Sequence, residues 1–198
     1  MKSLLLPKAL IGLSLFITIN TAHAENFSYN YIEGGLNHYL GDAEDVTSFK
    51  VDGSLGVTEN LHLLAGIQSD SIDVNSINAT LNQYKIGAGI HSSVNPGLDL
   101  IAEIGLINAE LSASGYNSVS QNAIMVGAGL RQQLTDKIEG HAKMNLYSVE
   151  DSDSELEKEF TFGGRLHINE QVSGGLDYTK QDGNSEGVLT TSIRLQSL

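Results

Sequence analysis

A hairpin of one length occurs twice in this chain. Ile86–Leu106 reads IGAGIHSSVNPGLDLIAEIGL, and Val126–Leu146 reads VGAGLRQQLTDKIEGHAKMNL. Aligned, the apolar positions coincide: Ile86 with Val126, Ile90 with Leu130, Val94 with Leu134, Leu98 with Ile138, Ile104 with Met144. Each arm alternates apolar with polar or glycine at period two, the mark of a strand whose two faces meet different surroundings. The break between the arms is three residues, Asn95-Pro96-Gly97 or Thr135-Asp136-Lys137, which suits a hairpin turn. The same grammar recurs around Val57–Leu61 and Ile168–Val172. A chain of repeated two-faced hairpins can bury one face by closing on itself.

Alternation and turn residues place about ten strands, with eight as the alternative count. They lie near Phe27–His38, Thr47–Val57, Leu61–Asp70, Asn82–Val94, Leu98–Glu110, Ala123–Leu134, Ile138–Val149, Phe160–Ile168, Val172–Thr179 and Gly187–Gln196. Most are about 9 to 13 residues long, enough for the 9–11 that a tilted membrane strand needs. Tight turns alternate with longer polar connections at Gly41–Val46, Ser71–Leu81, Ser112–Asn122, Glu150–Glu159 and Gln181–Glu186. Short periplasmic turns opposite longer outer loops are the pattern of outer-membrane barrels. A propeller would need four strands in each repeat of 34 to 40 residues, and only two fit.

The first residues read as an address. Lys2 and Lys8 precede an apolar run, Ala9–Ile19, and Ala22-His23-Ala24 forms an A-x-A cleavage site. This predicts a signal peptide over residues 1–24 and a barrel domain over residues 25–198. The run is shorter than a membrane-spanning helix requires. All 24 acidic residues but only nine of the 11 basic ones lie beyond Ala24, a net charge of −15 over 174 residues. That charge argues against nucleic acid as a partner. Cysteine is absent, so no disulfide staples the fold.

One face of the strands is apolar throughout, as in Leu61/Leu63/Ala65/Ile67 and Ile124/Val126/Ala128/Leu130. The other carries charges and glycine. Lys50, Asp52, Lys85, Glu103, Arg131, Glu139, His141, Lys143, Arg165, Asp177 and Arg194 all fall on it, with His62, His91 and His167. A soluble periplasmic barrel that binds a ligand would turn the apolar face inward; a membrane barrel turns it to lipid. Three features favour the membrane arrangement: the signal peptide, the asymmetry of the connections, and the lack of Trp and other bulky core residues. The charged set then forms a salt-bridge lattice filling a narrow barrel, or lines a small aqueous pore. Spacing places Asp52, Glu103, Lys143 and Asp177 at similar depth, Arg131 opposite His141, and Arg165 diagonal to Asp177.

Tyr39, Phe49, Tyr84, Tyr147, Phe160, Phe162 and Tyr178 gather toward the long-loop ends, as an interfacial girdle would. Phe27 and Tyr29 are candidates for a second girdle at the other end. The five histidines after the signal, His38 included, read as lumen-facing polar residues rather than metal ligands, and no cofactor is expected. Asp151, Asp153 and Glu155 alternate like a calcium loop but lack its glycine and terminal glutamate. Of a Ser/His/acid set on the outer surface only Ser148 is present, and no G-x-S-x-G occurs, so no enzyme is expected.

Phe27-Ser-Tyr-Asn-Tyr-Ile-Glu-Gly-Gly35 resembles the opening of a small proteobacterial outer-membrane β-barrel family, in which it forms the first strand. The mature chain as a whole is similar to porin-like and OmpA/OmpX-type barrels. That resemblance implies a place in the outer membrane, contact with its lipid and lipopolysaccharide, and assembly through periplasmic chaperones and the barrel-assembly machinery. It carries over no catalytic or ligand residues. Its members often end in an aromatic residue, whereas this chain ends Ile193-Arg-Leu-Gln-Ser-Leu198. The functions expected are a structural or surface-interaction role with acidic outer loops, or a narrow channel for small solutes.

Overall fold

A computed structural model describes residues 27–40, 46–74, 77–150, 156–183 and 187–197. Ten antiparallel strands run β1 Tyr31–Tyr39, β2 Val46–Gly56, β3 Leu61–Val74, β4 Ile77–Asn95, β5 Leu98–Ala113, β6 Val119–Thr135, β7 Ile138–Val149, β8 Glu157–His167, β9 Val172–Gln181 and β10 Gly187–Gln196. Each pairs with its sequence neighbours, and β1 pairs with β10 from Tyr31↔Gln196 to Tyr39↔Val188, closing the barrel. Closure leaves no barrel-long edge, so the backbone ladder is satisfied where lipid offers no partners.

Turn chemistry accounts for the short connections. Thr58, Thr135 and Asn169 open three of them, and each side-chain oxygen accepts from backbone N–H groups two and three residues on. Gly97 closes the fourth with φ of 90°, which a side chain would strain. The two repeated hairpins share a further detail. Pairing shifts register between Ser93 and Asn95 in one and between Gln133 and Thr135 in the other, so Val94 and Leu134 are equivalent bulges.

The distribution of polarity decides the architecture. Ile86 is 65% exposed and Ile193 61%, whereas Glu139 is 1% and Arg165 2% exposed. A soluble barrel has the reverse order, so the reading as a soluble periplasmic binding barrel is overturned. Lipid meets the apolar face, and the lumen is charged.

Three expectations about the elements need correction. Phe27–Asn30 does not extend the first strand, which starts at Tyr31. The segments read as loops, Ser71–Leu81 and Ser112–Asn122, are mostly strand: β3 and β4 pair out to Val74↔Ile77, and β5 and β6 out to Leu111↔Val119. With 19 residues in β4 and 17 in β6, these strands outrun the membrane and stand above it as a four-stranded wall. Finally, Phe49, Tyr84, Phe160, Phe162 and Tyr178 are exposed on the outside as a girdle, but Tyr39 and Tyr147 line the lumen. Residues 1–26, with the signal and its cleavage site, and the 151–155 stretch compared with a calcium loop lie outside the described residues.

Candidate functional site

The lumen encloses a cavity of about 560 Å³. Six acidic residues line it (Glu33, Asp52, Glu103, Glu139, Glu159 and Asp177), and so do six Lys or Arg. The lining is therefore balanced in charge, although the chain is strongly acidic.

Most of these charges are paired, and the pairs follow a rule of register. Lys85 Nζ lies 3.0 Å from Asp52 Oδ1, two strands away, across Gly66 of the intervening β3. His62 Nε2 lies 3.4 Å from Glu103 Oε1 across Gly89, and His141 Nε2 3.0 Å from Asp177 Oδ1 across Gly163. Lys143 reaches Glu103 over β6, where Gly127 and Gly129 leave the room. Lys50 adds a looser contact to Asp52 at 3.8 Å. An inward glycine is thus a saddle over which neighbouring strands clasp. A Cβ at Gly163 would stand 2.6 Å from His141 Nε2. Gly163→Val should therefore break the His141–Asp177 clasp and cost about 1–3 kcal/mol. The urea midpoint of the folded barrel checks this, with Gly34→Val as control because nothing lies within 4 Å of that site.

The longest link crosses the barrel. Arg165 Nη2 of β8 donates to both oxygens of Glu33 on β1, at 2.9 and 3.2 Å, and Arg194 Nε donates to Glu33 at 2.7 Å. Arg194 also lies over the Tyr31 ring, 3.7 Å from its centroid. Arg165 Nε and Nη1 are buried with no acceptor among the described residues, so Glu33 is the acceptor for this guanidinium. Arg165 is diagonal to Asp177 as expected, but its partner is Glu33. Glu33 lies outside the set expected from sequence, although its inward parity with Asn37 marks it as a lumen residue.

At the short-turn end the residues just before β1, Phe27–Asn30, pack into the lumen. Tyr29 is 8% exposed, and its ring stacks on His91 at 3.5 Å between centroids and on His62 at 4.9 Å. Its hydroxyl donates to Asp99 Oδ2 at 3.0 Å, and Ser93 donates to the other Asp99 oxygen. Burial pushes the Tyr29 phenol up, which keeps it a donor. His62 Nδ1 and His91 Nδ1 are 3.2 Å apart, so one donates while the other accepts. Arg131 completes the floor. It faces His141 in register, yet its ion pair is a two-bond fork to Glu139 at 2.7 and 2.9 Å. The guanidinium also donates to the Ser28 carbonyl at 3.3 Å and lies over the rings of Phe27 and Tyr29. His167 sits 3.5 Å from Glu139. Phe27 and Tyr29 therefore belong to this floor, not to a second girdle. His38 faces outward, against the expectation that all five histidines face the lumen.

The outer half of the lumen is hydroxyl and amide. Thr190 donates to Asn37, Asn37 to Ser48, and Ser48 to Asp70 along one row of four strands. Opposite, Tyr147 and Asn145 both donate to Glu159 at 2.8 Å. The cavity runs from this level, with Tyr39 and Gln181 in its wall, down to Tyr29, His62, Arg131 and Glu139, where it ends. Among the described residues no three His, Asp or Glu side chains converge as metal ligands would.

No family model and no curated protein matches the chain. Among solved structures it is similar to the KdgM porin in complex with disordered oligogalacturonate, at 6% identity over 85% of this chain and 99% of that one, with a TM-score of 0.52. It is similar to the NanC porin at 9% identity over the same shares, with a TM-score of 0.54. Neisserial surface protein A follows at 11% identity over 84% and 96%, with a TM-score of 0.45. At such identities the likeness to the two porins is one of fold, and that fold is the outer-membrane β-barrel.

Proposed function

We propose that this chain is a non-enzymatic outer-membrane protein whose lumen is closed at rest and whose working surface is its outer rim. The observation that carries this reading is the floor of the cavity. A solute entering from the outer side meets Tyr29, His62, Arg131 and Glu139, and these side chains are interlocked by stacking, a forked ion pair and hydrogen bonds. The clasps over the saddles fit the same role, since they tie strands together inside a barrel too narrow for a bulky core. Planar-bilayer recordings of the wild-type barrel should show no reproducible conductance steps. Regular steps at low voltage would sink the reading.

One observation favours a second role, a narrow channel for small solutes. The floor hangs on four residues of the chain start and not on the wall alone, so displacement of Phe27–Asn30 would lengthen the open path. The lumen would then pass small polar solutes with little charge preference, because its lining is balanced.

The proposal includes export with cleavage after Ala24, delivery by periplasmic chaperones and the barrel-assembly machinery, and contact with lipopolysaccharide around the girdle. An intact mass beginning at Glu25, together with heat-modifiable migration in the outer-membrane fraction, tests the first and last steps of that route.

A further inference from the structure

The wall formed by β3–β6 reverses its polarity where it leaves the membrane. Below, the outer face is apolar up to the row Ile67↔Tyr84, with Leu106 and Ile124 one step lower. Above, the outer face becomes a ladder of short polar side chains: Ser69 donates to Asn82, and Asn108 to Ser120 and Asn122. The inner face changes the other way. The charged and glycine positions give way to Ile72, Ala79, Leu81, Leu111, Ala113 and Val119. Leu81, Leu111 and Val119 are direct neighbours in register, and Ile72, Ala79 and Ala113 form the next inward row.

An outer face in water explains the polar ladder, but nothing in the barrel explains the apolar inner face. Leu111 is 45% and Val119 65% exposed, over the mouth of a polar lumen. Isolated exposed side chains are ordinary. Here β4, β5 and β6 turn apolar in one row, beside Asp70 of β3, and Ile72 of β3 joins in the next row, which makes a continuous patch facing the mouth. The described charges around this mouth are mainly acidic. Glu157 and Glu159 face inward on β8 and Asp182 lies in the turn after β9, 3.6 Å from Lys158, whereas Lys158 and Lys180 share the outward parity of Phe160 and Tyr178.

We propose that the inner face of this wall is a docking surface for a cationic, amphipathic peptide segment of another protein. Its apolar side covers Leu81, Leu111 and Val119, and its Lys or Arg residues meet the acidic rim. Charge complementarity selects the occupant: the acidic rim repels anionic lipopolysaccharide and acidic peptides and draws cationic ones. The inference rests on the reading that the outer rim is the working surface.

The test uses the full barrel in nanodiscs of zwitterionic lipid, with binding to empty nanodiscs subtracted. The probe is a synthetic peptide of alternating lysine and leucine, and its glutamate–leucine counterpart is the control. The cationic peptide should bind, the anionic one should not, and Leu111→Asn/Val119→Asn should bind about tenfold more weakly, which corresponds to about 1.4 kcal/mol. The chain has no cysteine, so Leu111→Cys gives a second readout. A water-soluble maleimide should label that variant in the free barrel, and the peptide should protect it. Equal binding to the double variant, or equal binding of the anionic peptide, overturns the proposal. A monomeric Leu111→Cys barrel that resists the maleimide would mean that the chain's own loops cover the patch. Protection that depends on protein concentration, with a dimer on sizing, would mean a second copy does so. Either result overturns it too. Wild-type conductance steps with peptide binding intact would defeat the closed-lumen reading alone.

Discussion

Replacement of Tyr29 by Ala should turn a silent barrel into a conducting one. The ring fills the lumen at the short-turn end through two stacking contacts, at 3.5 and 4.9 Å between centroids, and its hydroxyl is tied to Asp99. Without it, His62 and His91 lose the surface they pack on, and Ser28 loses the anchor beside it that holds its carbonyl near Arg131. Arg131 and Glu139 remain, because both are fixed to the wall of β6 and β7 by their mutual fork. The variant should therefore keep its heat-modifiable migration and its unfolding free energy within about 1–3 kcal/mol of wild type, the scale of one buried polar contact. Its signature is functional: small, regular steps in planar bilayers and liposome leakage of small solutes, both absent from the wild type. If Tyr29→Ala folds and remains silent, the floor is made by the wall and the chain start is not its stopper. Phe27→Ala, whose ring centroid lies 4.6 Å from the Arg131 guanidinium, should give a smaller effect in the same direction.

The largest loss of stability is expected at Glu33. One carboxylate compensates two buried guanidinium groups, at 2.9 Å from Arg165 and 2.7 Å from Arg194. Glu33→Gln keeps the shape and removes the charge, leaving two cations in a poorly solvated lumen. Breaking a buried ion pair from one side costs about 3–5 kcal/mol. The free energy of unfolding from urea titration of the refolded barrel should fall by that order, whereas Glu170→Gln in an exposed turn should leave it unchanged. Glu33→Gln/Arg165→Gln should recover part of the loss, since removing both partners leaves less uncompensated charge. A Glu33→Gln barrel as stable as wild type would mean that lumen water, not the carboxylate, solvates these arginines.

Much of the barrel is legible in the chain. Period-two alternation sorts Lys50, Asp52, Lys85 and Glu103 from Leu63, Ile86 and Ile104 without any knowledge of partners, because successive strand side chains point to opposite faces. The repeated hairpin even carries its irregularity with it, at Val94 and Leu134. The outer wall is harder to read in the sequence. In β3–β6 the apolar positions change parity, and a window that requires one constant parity ends the strand there and reports a loop. Yet Leu81, Leu111 and Val119 are as periodic as the membrane rows below them. The change of solvent, not the end of the strand, altered the pattern. Phe27, Tyr29 and Tyr31 share the inward parity of Glu33 and Asn37, so alternation puts these rings on the lumen side; that Tyr29 stacks on His62 and His91 depends on closure.

Ion-pair partners lie beyond what alternation can reach. That Arg131 faces inward follows from parity; that it chooses Glu139 over His141 depends on a diagonal reach in three dimensions. Arg165 illustrates the point more sharply, since its acceptor lies 132 residues away on the strand that closes the barrel. Sequence by itself determined the strands, the two faces and the alternation of hairpins, since each depends on residues a few positions apart. Tertiary structure alone decided which charges clasp across a glycine saddle, that Tyr29 packs on His62 and His91 inside the lumen, and that the apolar face of the outer wall looks over the mouth. Those features depend on closure, which brings strands together at distances that no local pattern encodes.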